Sequence, residues 1–524
     1  MRPTGAPPAR SLRLGRADLI MAGCCILAAA ALLVVMGDLP VFGDGWAYGY
    51  RSARWIATHG MQPVPSGTGR GEMAMGHPTL MLWSWALLMR ILGDTPLVAH
   101  LIPAIMTALA LWGTYLYGRL AGGRATGMWA SIILLCSPLF LAQSLQPLQD
   151  VGFTALAVLA MTEYGHGRNT RAAVLTALAT AFREQALLLA GSFILVELAR
   201  NGLSKPRRLL IHLLSPGVFL LTGLGNLAYN GFFLFRTYLG EAKELESGWF
   251  LPRLRFFAGH LLCHDGRWLP LTAGIALTLS RQTRKAPSAT AVLLLLAPAV
   301  LFPPGRLLFL AVIGIAGLLA LAREGRMPDP AVLPAIVFVL AMIAFHVMIV
   351  AIAPDPQLNL YRYVLAAYPA VIVCTLALLR KKGGVKLLHS AGAVTAALGV
   401  AACFNVIPFQ LDATPMGLAW VYDTRELVRT ASAAGDTVIA SETEYPMFRD
   451  PALGYTDEPM PARLLGEGRL EPGTAYTLLR PMENDPSFDS LLSSMMTEEM
   501  SITPLARMKR GEAVQSLFRL EPAR

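Results

Sequence analysis

Apolar residues in this chain come in blocks of about 15 to 22, not at the spacing of an amphipathic helix. The first block, Leu19 to Gly37, contains no charged side chain. In lipid every backbone N–H and C=O has to be satisfied within the segment itself, so blocks of this length dictate spanning helices. The expected fold is therefore an all-α polytopic membrane bundle. A composition of 54% hydrophobic and 15% charged residues agrees, and it excludes a string of soluble domains for the 524 residues.

Arg2, Arg10, Arg13 and Arg16 precede the first block as in a signal peptide, but the block is longer than a signal core and no small-x-small site follows. It reads as a retained helix with a cytoplasmic N-terminus. Further spans fall near residues 96–116, 127–145, 151–165, 172–182, 186–199, 209–229, 268–280, 288–302, 307–322, 331–353, 363–379 and 386–406. The total of about 13 spans puts the termini on opposite sides. The segment around Arg183 reads either as two spans or as one bent element.

Charge distribution checks that topology. The net charge of +10 is not a patch, which excludes a nucleic-acid footprint. Arg119 and Arg124, Arg168 and Arg171, Arg200 to Arg208, Arg281 to Lys285, Arg323 and Arg326, and Arg380 to Lys386 all fall in turns assigned to the cytoplasm. The short outer turns hold only Arg183, Arg306 and Arg362. Two long outer loops remain, 38–95 and 230–267; the first contains "HPTLMLWSWALLMRILG", which reads as an interfacial helix. Residues 1–406 thus form the transmembrane unit. In residues 407–524, "DTVIASE", "AYTLLRP" and "SLFRLEP" alternate like strands and "DTRELVRTASAAG" like a helix, so a small extracytoplasmic α/β domain is expected. Cys24, Cys25, Cys136, Cys374 and Cys403 lie in or near apolar runs and Cys263 in a polar loop, which suggests free thiols and not a disulfide framework.

Candidate chemistry collects on the outer face. Asp44 follows the first span in "VFGDGWAYGYR", and Asp150 opens the fourth in "SLQPLQDVGF". Each has a plain structural alternative, a solvated loop charge for Asp44 and a helix-start partner for Asp150. Arg183, Arg306 and Arg362 stand at the outer mouths of apolar helices, where ionisable groups face a cavity or a partner, or snorkel to headgroups. Together they suggest an anion site beside two acids, since the planar fork of arginine suits phosphate. Tyr361 and Tyr363 flank Arg362 and suit lipid or sugar packing as well as interfacial anchoring. His260 and His264 have the i,i+4 spacing of a zinc pair, with Asp265 alongside, so a divalent metal is possible without being required. The chain lacks a glycine-rich phosphate loop, which argues against soluble nucleotide-sugar chemistry.

These segments resemble the GT-C superfamily of membrane glycosyltransferases, in the branch of the protein O-mannosyltransferases and lipid A aminoarabinose transferases. The likeness lies in "GDGWAYGYRSARWIATHG", then "GHPTLMLWSWALLMRILGDTPLVAHLIPAIMTALALWGTYLYGRLAGG", then "SPLFLAQSLQPLQDVGF", and later "YRYVLAAYPA". It is good over residues 15–200 and elsewhere rests on topology. The resemblance implies inverting transfer of a sugar from a polyprenyl-phosphate donor to an envelope glycan, lipid or protein, at the outer face of the cytoplasmic membrane. It implies Asp44 as base or acceptor orienter, Asp150 as a second site acid, Arg183, Arg362 and Arg306 as phosphate contacts, and His77 as the start of an incomplete "HPP" motif. The family often carries two acids in tandem at the first position, whereas Gly45 follows Asp44 here. The rival readings are a transporter or flippase for a lipid-linked sugar, and a non-catalytic assembly protein.

Overall fold

The computed structural model describes residues 14–41, 45–60, 78–231, 233, 250–282, 329, 331–348, 358–405, 415–434, 436–440, 445–467, 469–471, 474–480, 486–496, 500–510 and 513–522. The spans expected at 288–302 and 307–322 lie outside them. The remainder is mostly helical, with a small sheet near the C-terminus.

The first part of the bundle runs α1 (Arg16–Met36), a turn at Gly45–Tyr50, α2 (Arg51–His59), α3 (Leu80–Leu92), α4 (Pro96–Gly122), α5 (Arg124–Leu135) and α6 (Pro138–Leu145). It continues with α7 (Asp150–Gly165), α8 (Asn169–Phe182), α9 (Leu187–Asn201), α10 (Pro206–Leu210) and α11 (Leu214–Asn230). Among the described residues, four helices are long and apolar enough to cross a membrane: Arg16–Val35, Pro96–Gly122, Pro206–Ala228 and Arg362–Phe404. A fifth is added if α5 and α6, bent by 70° at their junction, count as one span. The sequence reads 127–145 as a single helix, but Pro138 disfavours helical backbone at the residue before it, and Ser137 is extended at φ −78°, ψ 123°.

α4 is the hub, packing on α1, α5 and α7. It starts cleanly because Thr95 accepts a hydrogen bond from the Val98 N–H at 3.4 Å and Pro96 has no N–H to lose in the first turn. It meets α5 at near backbone contact: a Cβ on Gly118 would lie 2.7 Å from Gly127 Cα, so any larger residue at either position forces the pair apart. At one end of the bundle the buried Asp18 carboxylate accepts from Tyr115 Oη at 2.6 Å and from Arg119 Nη1 at 2.5 Å, locking α1 to α4. At that same end Glu197 accepts from Tyr164 at 3.0 Å, Asn169 at 3.0 Å and Asn201 at 2.7 Å. The arginines at 119, 124, 168 and 200 cluster with these acids, opposite the end where α7 begins.

Both segments read as long loops contain helix. Residues 38–95 hold α2 and α3, and Trp85 of α3 is fully buried with Nε1 donating to Ala99 O at 3.1 Å. Residues 230–267 hold the helix Phe250–Cys263, so Cys263 is buried at a helix end, not solvated in a polar loop. All six cysteines are free.

The C-terminal sheet has the order β2-β1-β3-β5-β4, built from β1 (Thr437–Ala440), β2 (Ala462–Leu464), β3 (Tyr476–Arg480), β4 (Met500–Arg510) and β5 (Ala513–Pro522). β1 is parallel to β2 and β3, while β5 runs antiparallel to β3 and β4. Ile439, Leu478 and Leu520 from three strands pack with Leu492 and Met495 of the helix Pro486–Met495. The helix Pro415–Ala434, which contains "DTRELVRTASAA", packs beside this sheet through Thr424 and Gln515, 3.0 Å apart. The sheet unit is tied to the first loop: Val41 N–H donates to Leu453 O at 2.9 Å, and Arg54 bridges Asp94 and Asp450. Tyr50 Oη donates to Asp94 at 2.5 Å; burial first, then that carboxylate, push its phenol far above the usual range.

Candidate functional site

Asp150 is the first residue of α7, after a short turn that carries Pro147. Arg183 ends α8. Its N–H closes the last helical turn on Ala179 O at 2.7 Å, but its own backbone is extended at φ −153°, ψ 127°. The helix stops there, a 3-10 turn at Glu184–Ala186 follows, and α9 begins at Leu187. That break carries Arg183 to the start of α7, where Nη1 donates to Asp150 Oδ1. Arg183 is 5% exposed and Asp150 3%. A pair this deeply desolvated is worth keeping only if both members remain, because removal of either leaves an uncompensated buried charge.

The third contributor is the 3-10 segment Leu358–Ala367, which packs on α6 and α7. The Tyr363 ring centroid lies 4.8 Å from the Arg183 guanidinium carbon and 5.4 Å from that of Arg362, so one aromatic ring serves two cations. On the other helix in contact, Leu333–Met348, His346 stacks with Tyr363 at 6.0 Å and 16°. His346 Nδ1 is 2.7 Å from Met342 O, and its Nε2 is 3.2 Å from the Gln185 amide nitrogen. Among the described residues, the buried polar atoms of this cluster without a hydrogen-bond partner include Arg183 Nε and Gln185 Oε1.

The first outer loop reaches the same place through its glycines. A Cβ on Gly45 would lie 2.8 Å from the Pro147 ring, and one on Gly49 would lie 2.4 Å from Pro147 O. Both positions require glycine for close approach. The residue after Asp44 is therefore seated three positions before Asp150. Asp44 itself, His77 and Arg306 lie outside the described residues, as does the side chain of Tyr361. Of the residues singled out from sequence, Asp150, Arg183, Arg362 and Tyr363 are brought together. Gln185 and His346 were missed; the available signal was a polar side chain inside otherwise apolar sequence, in "AFREQALLL" and "MIAFHVMIV".

The histidine pair has other partners. His260 Nε2 meets the Tyr368 hydroxyl, and Asp265, in the left-handed region at φ 54°, accepts from Arg267 Nη1 at 2.7 Å and from Ser137 Oγ at 3.2 Å. Among the described residues no group of three or more His, Cys, Asp or Glu side chains is placed to hold a metal ion.

No protein-family model matches the chain, and no curated protein sequence matches it. Its fold is similar to a crystal structure of ArnT from Cupriavidus metallidurans bound to undecaprenyl phosphate, at TM-score 0.47 and 15% identity over 97% of this chain and 98% of that one. It is also similar to the oligosaccharyltransferase of Archaeoglobus fulgidus in complex with zinc and sulfate, at TM-score 0.47 and 14% identity over 92% of this chain and 68% of the other. At this distance neither bears on the chemistry of this chain.

Proposed function

We propose that this chain is an inverting glycosyltransferase that moves a sugar from a polyprenyl-phosphate donor to an envelope acceptor, at the outer face of the cytoplasmic membrane. In this reading residues 1–406 form the transmembrane unit and 407–524 an extracytoplasmic domain. One observation carries the proposal: Asp150, Arg183, Arg362 and Tyr363, distant in sequence, converge on one cluster whose acid–arginine pair is buried.

The chemistry follows from what such groups do. The acceptor hydroxyl oxygen attacks the anomeric carbon while Asp44 takes its proton, and the bond from that carbon to the phosphate oxygen breaks with its electron pair leaving on the lipid phosphate. Arg183 and Arg362 hold the charge that develops there, and a preorganised guanidinium does so without reorganising at the moment of reaction. Asp150, already engaged by Arg183, orients that fork and does not abstract the proton. The acceptor is drawn from glycan, lipid or protein.

The test is transfer by the purified protein from polyprenyl-phosphate sugars in proteoliposomes. Asp44→Asn is expected to lower the rate about 100- to 10,000-fold, the range of a lost general base. Unchanged transfer in that variant removes Asp44 from its role. Movement of the donor lipid across the bilayer without glycosidic-bond formation in the wild type favours the flippase reading.

A further inference from the structure

Gln185 and His346 take no part in the reaction as derived, yet their geometry is fully determined. A carbonyl only accepts, so His346 Nδ1, 2.7 Å from Met342 O, carries a hydrogen. An amide nitrogen only donates, so His346 Nε2, 3.2 Å from the Gln185 nitrogen, is the acceptor. The ring therefore dictates which end of the Gln185 amide faces it. The amide oxygen is left pointing elsewhere, in a side chain only 7% exposed, with no partner among the described residues. Two positions earlier, Arg183 spends Nη1 on Asp150 and leaves Nε, a donor, equally buried and unsatisfied.

Unmatched buried polar atoms are costly, and a native fold keeps them where a ligand or water completes them. Here Arg183 Nε is a donor and Gln185 Oε1 an acceptor, so these two are of opposite kind. Their complement presents an acceptor oxygen to the guanidinium and a hydroxyl to the amide, two residues apart on one segment. A bare lipid phosphate satisfies only the first. A phosphate carrying a sugar satisfies both, and the Tyr363, His346 and Phe257 rings, with Phe257 5.3 Å from His346, supply apolar faces of the kind sugar rings pack against.

Resting on the reading of this cluster as a donor-phosphate site, we infer that Gln185 is a specificity residue for the sugar: its Oε1 accepts from a sugar hydroxyl next to the phosphate that Arg183 Nε contacts. His346 is the positioning residue, holding the amide in that sense.

The experiment measures dissociation constants of the purified full-length protein in nanodiscs for undecaprenyl phosphate and for the same lipid carrying glucose, mannose, arabinose or N-acetylglucosamine. The wild type is expected to bind at least one glycosylated probe about tenfold more tightly than the bare lipid, as one good hydrogen bond to a buried acceptor allows. Gln185→Met should erase that preference while leaving the constant for the bare lipid within about twofold. His346→Phe, which keeps a ring against Tyr363 and frees the amide to rotate, should reduce the preference by a smaller factor, and it carries the test if Gln185→Met does not fold. A wild type that prefers no glycosylated probe overturns the inference. So do a variant that keeps the preference and one that weakens every probe equally, since the last describes a packing role. Failure of the bare lipid to bind the wild type is a different result: it removes the donor-phosphate reading itself.

Discussion

Two buried acid–arginine pairs in this bundle look alike, and their hydrogen bonding separates them. Arg267 stacks on Tyr368 at 4.0 Å and pairs with Asp265 at 2.7 Å; Arg183 stacks on Tyr363 at 4.8 Å and pairs with Asp150. Around Arg267 every arm of the guanidinium is used. Nε donates to Leu261 O at 3.0 Å, Nη2 to His260 O at 2.7 Å, and Nη1 is shared between Asp265 and Ser137. Around Arg183 one carboxylate is engaged and Nε is left over. A saturated fork fastens a chain reversal in place, whereas an unsaturated one at the same depth holds a donor in reserve. Burial of a charge is therefore a poor guide to function until its partners are counted.

Identical substitutions at the two sites test that contrast. The largest effect is expected from Arg267→Lys: an ammonium group does not serve four acceptors from one plane, and the His260 and Leu261 carbonyls lose their donors. Stability should fall by about 2–4 kcal/mol, read as a lower thermal midpoint in detergent. A midpoint within a degree or two of wild type would dissolve the contrast. Arg183→Lys keeps the charge facing Asp150 and should cost less than about 1 kcal/mol of stability. Its kcat/KM for sugar transfer should nevertheless fall about 100-fold, as expected when a preorganised donor is lost.

Ser137→Ala removes one hydroxyl from the saturated pair and should lower stability by about 1 kcal/mol with transfer unchanged, which sharpens the assignment of that region to structure. The smallest effect belongs to the strap between the first loop and the sheet. Asp450→Asn weakens an ion pair whose arginine is 32% exposed, so a loss of about 0.2–1 kcal/mol, further reduced in high salt, is the expected outcome in a salt-dependent melting series.

Much of this was visible in the residues alone. Apolar block length predicted the helices, because lipid leaves the backbone no alternative, and the charge rule singled out Arg183 and Arg362 because a cation in a short outer turn has to justify its desolvation. Asp150 followed from its place at a helix start. Arg267 escaped notice for the opposite reason: in "CHDGRW" it reads as a cheap loop charge, and only packing of the helix Phe250–Cys263 against its neighbours buries it. The break at Ser137 and Pro138 was written in the sequence but masked by an unbroken apolar composition. Gln185 lacked a signal strong enough to compete, since what matters about it is which way an amide faces, and a distant histidine decides that.

The seam between Gly45 and Pro147 has a bearing on how such a loop is able to change. The Cβ of an acid in tandem with Asp44 has no room while the Pro147 ring sits 2.8 Å off. The two positions are therefore coupled: the substitution is admissible only on a background in which residue 147 has already become small. Gly45→Asp alone should therefore pack badly, and Gly45→Asp combined with Pro147→Ala should relieve part of that cost.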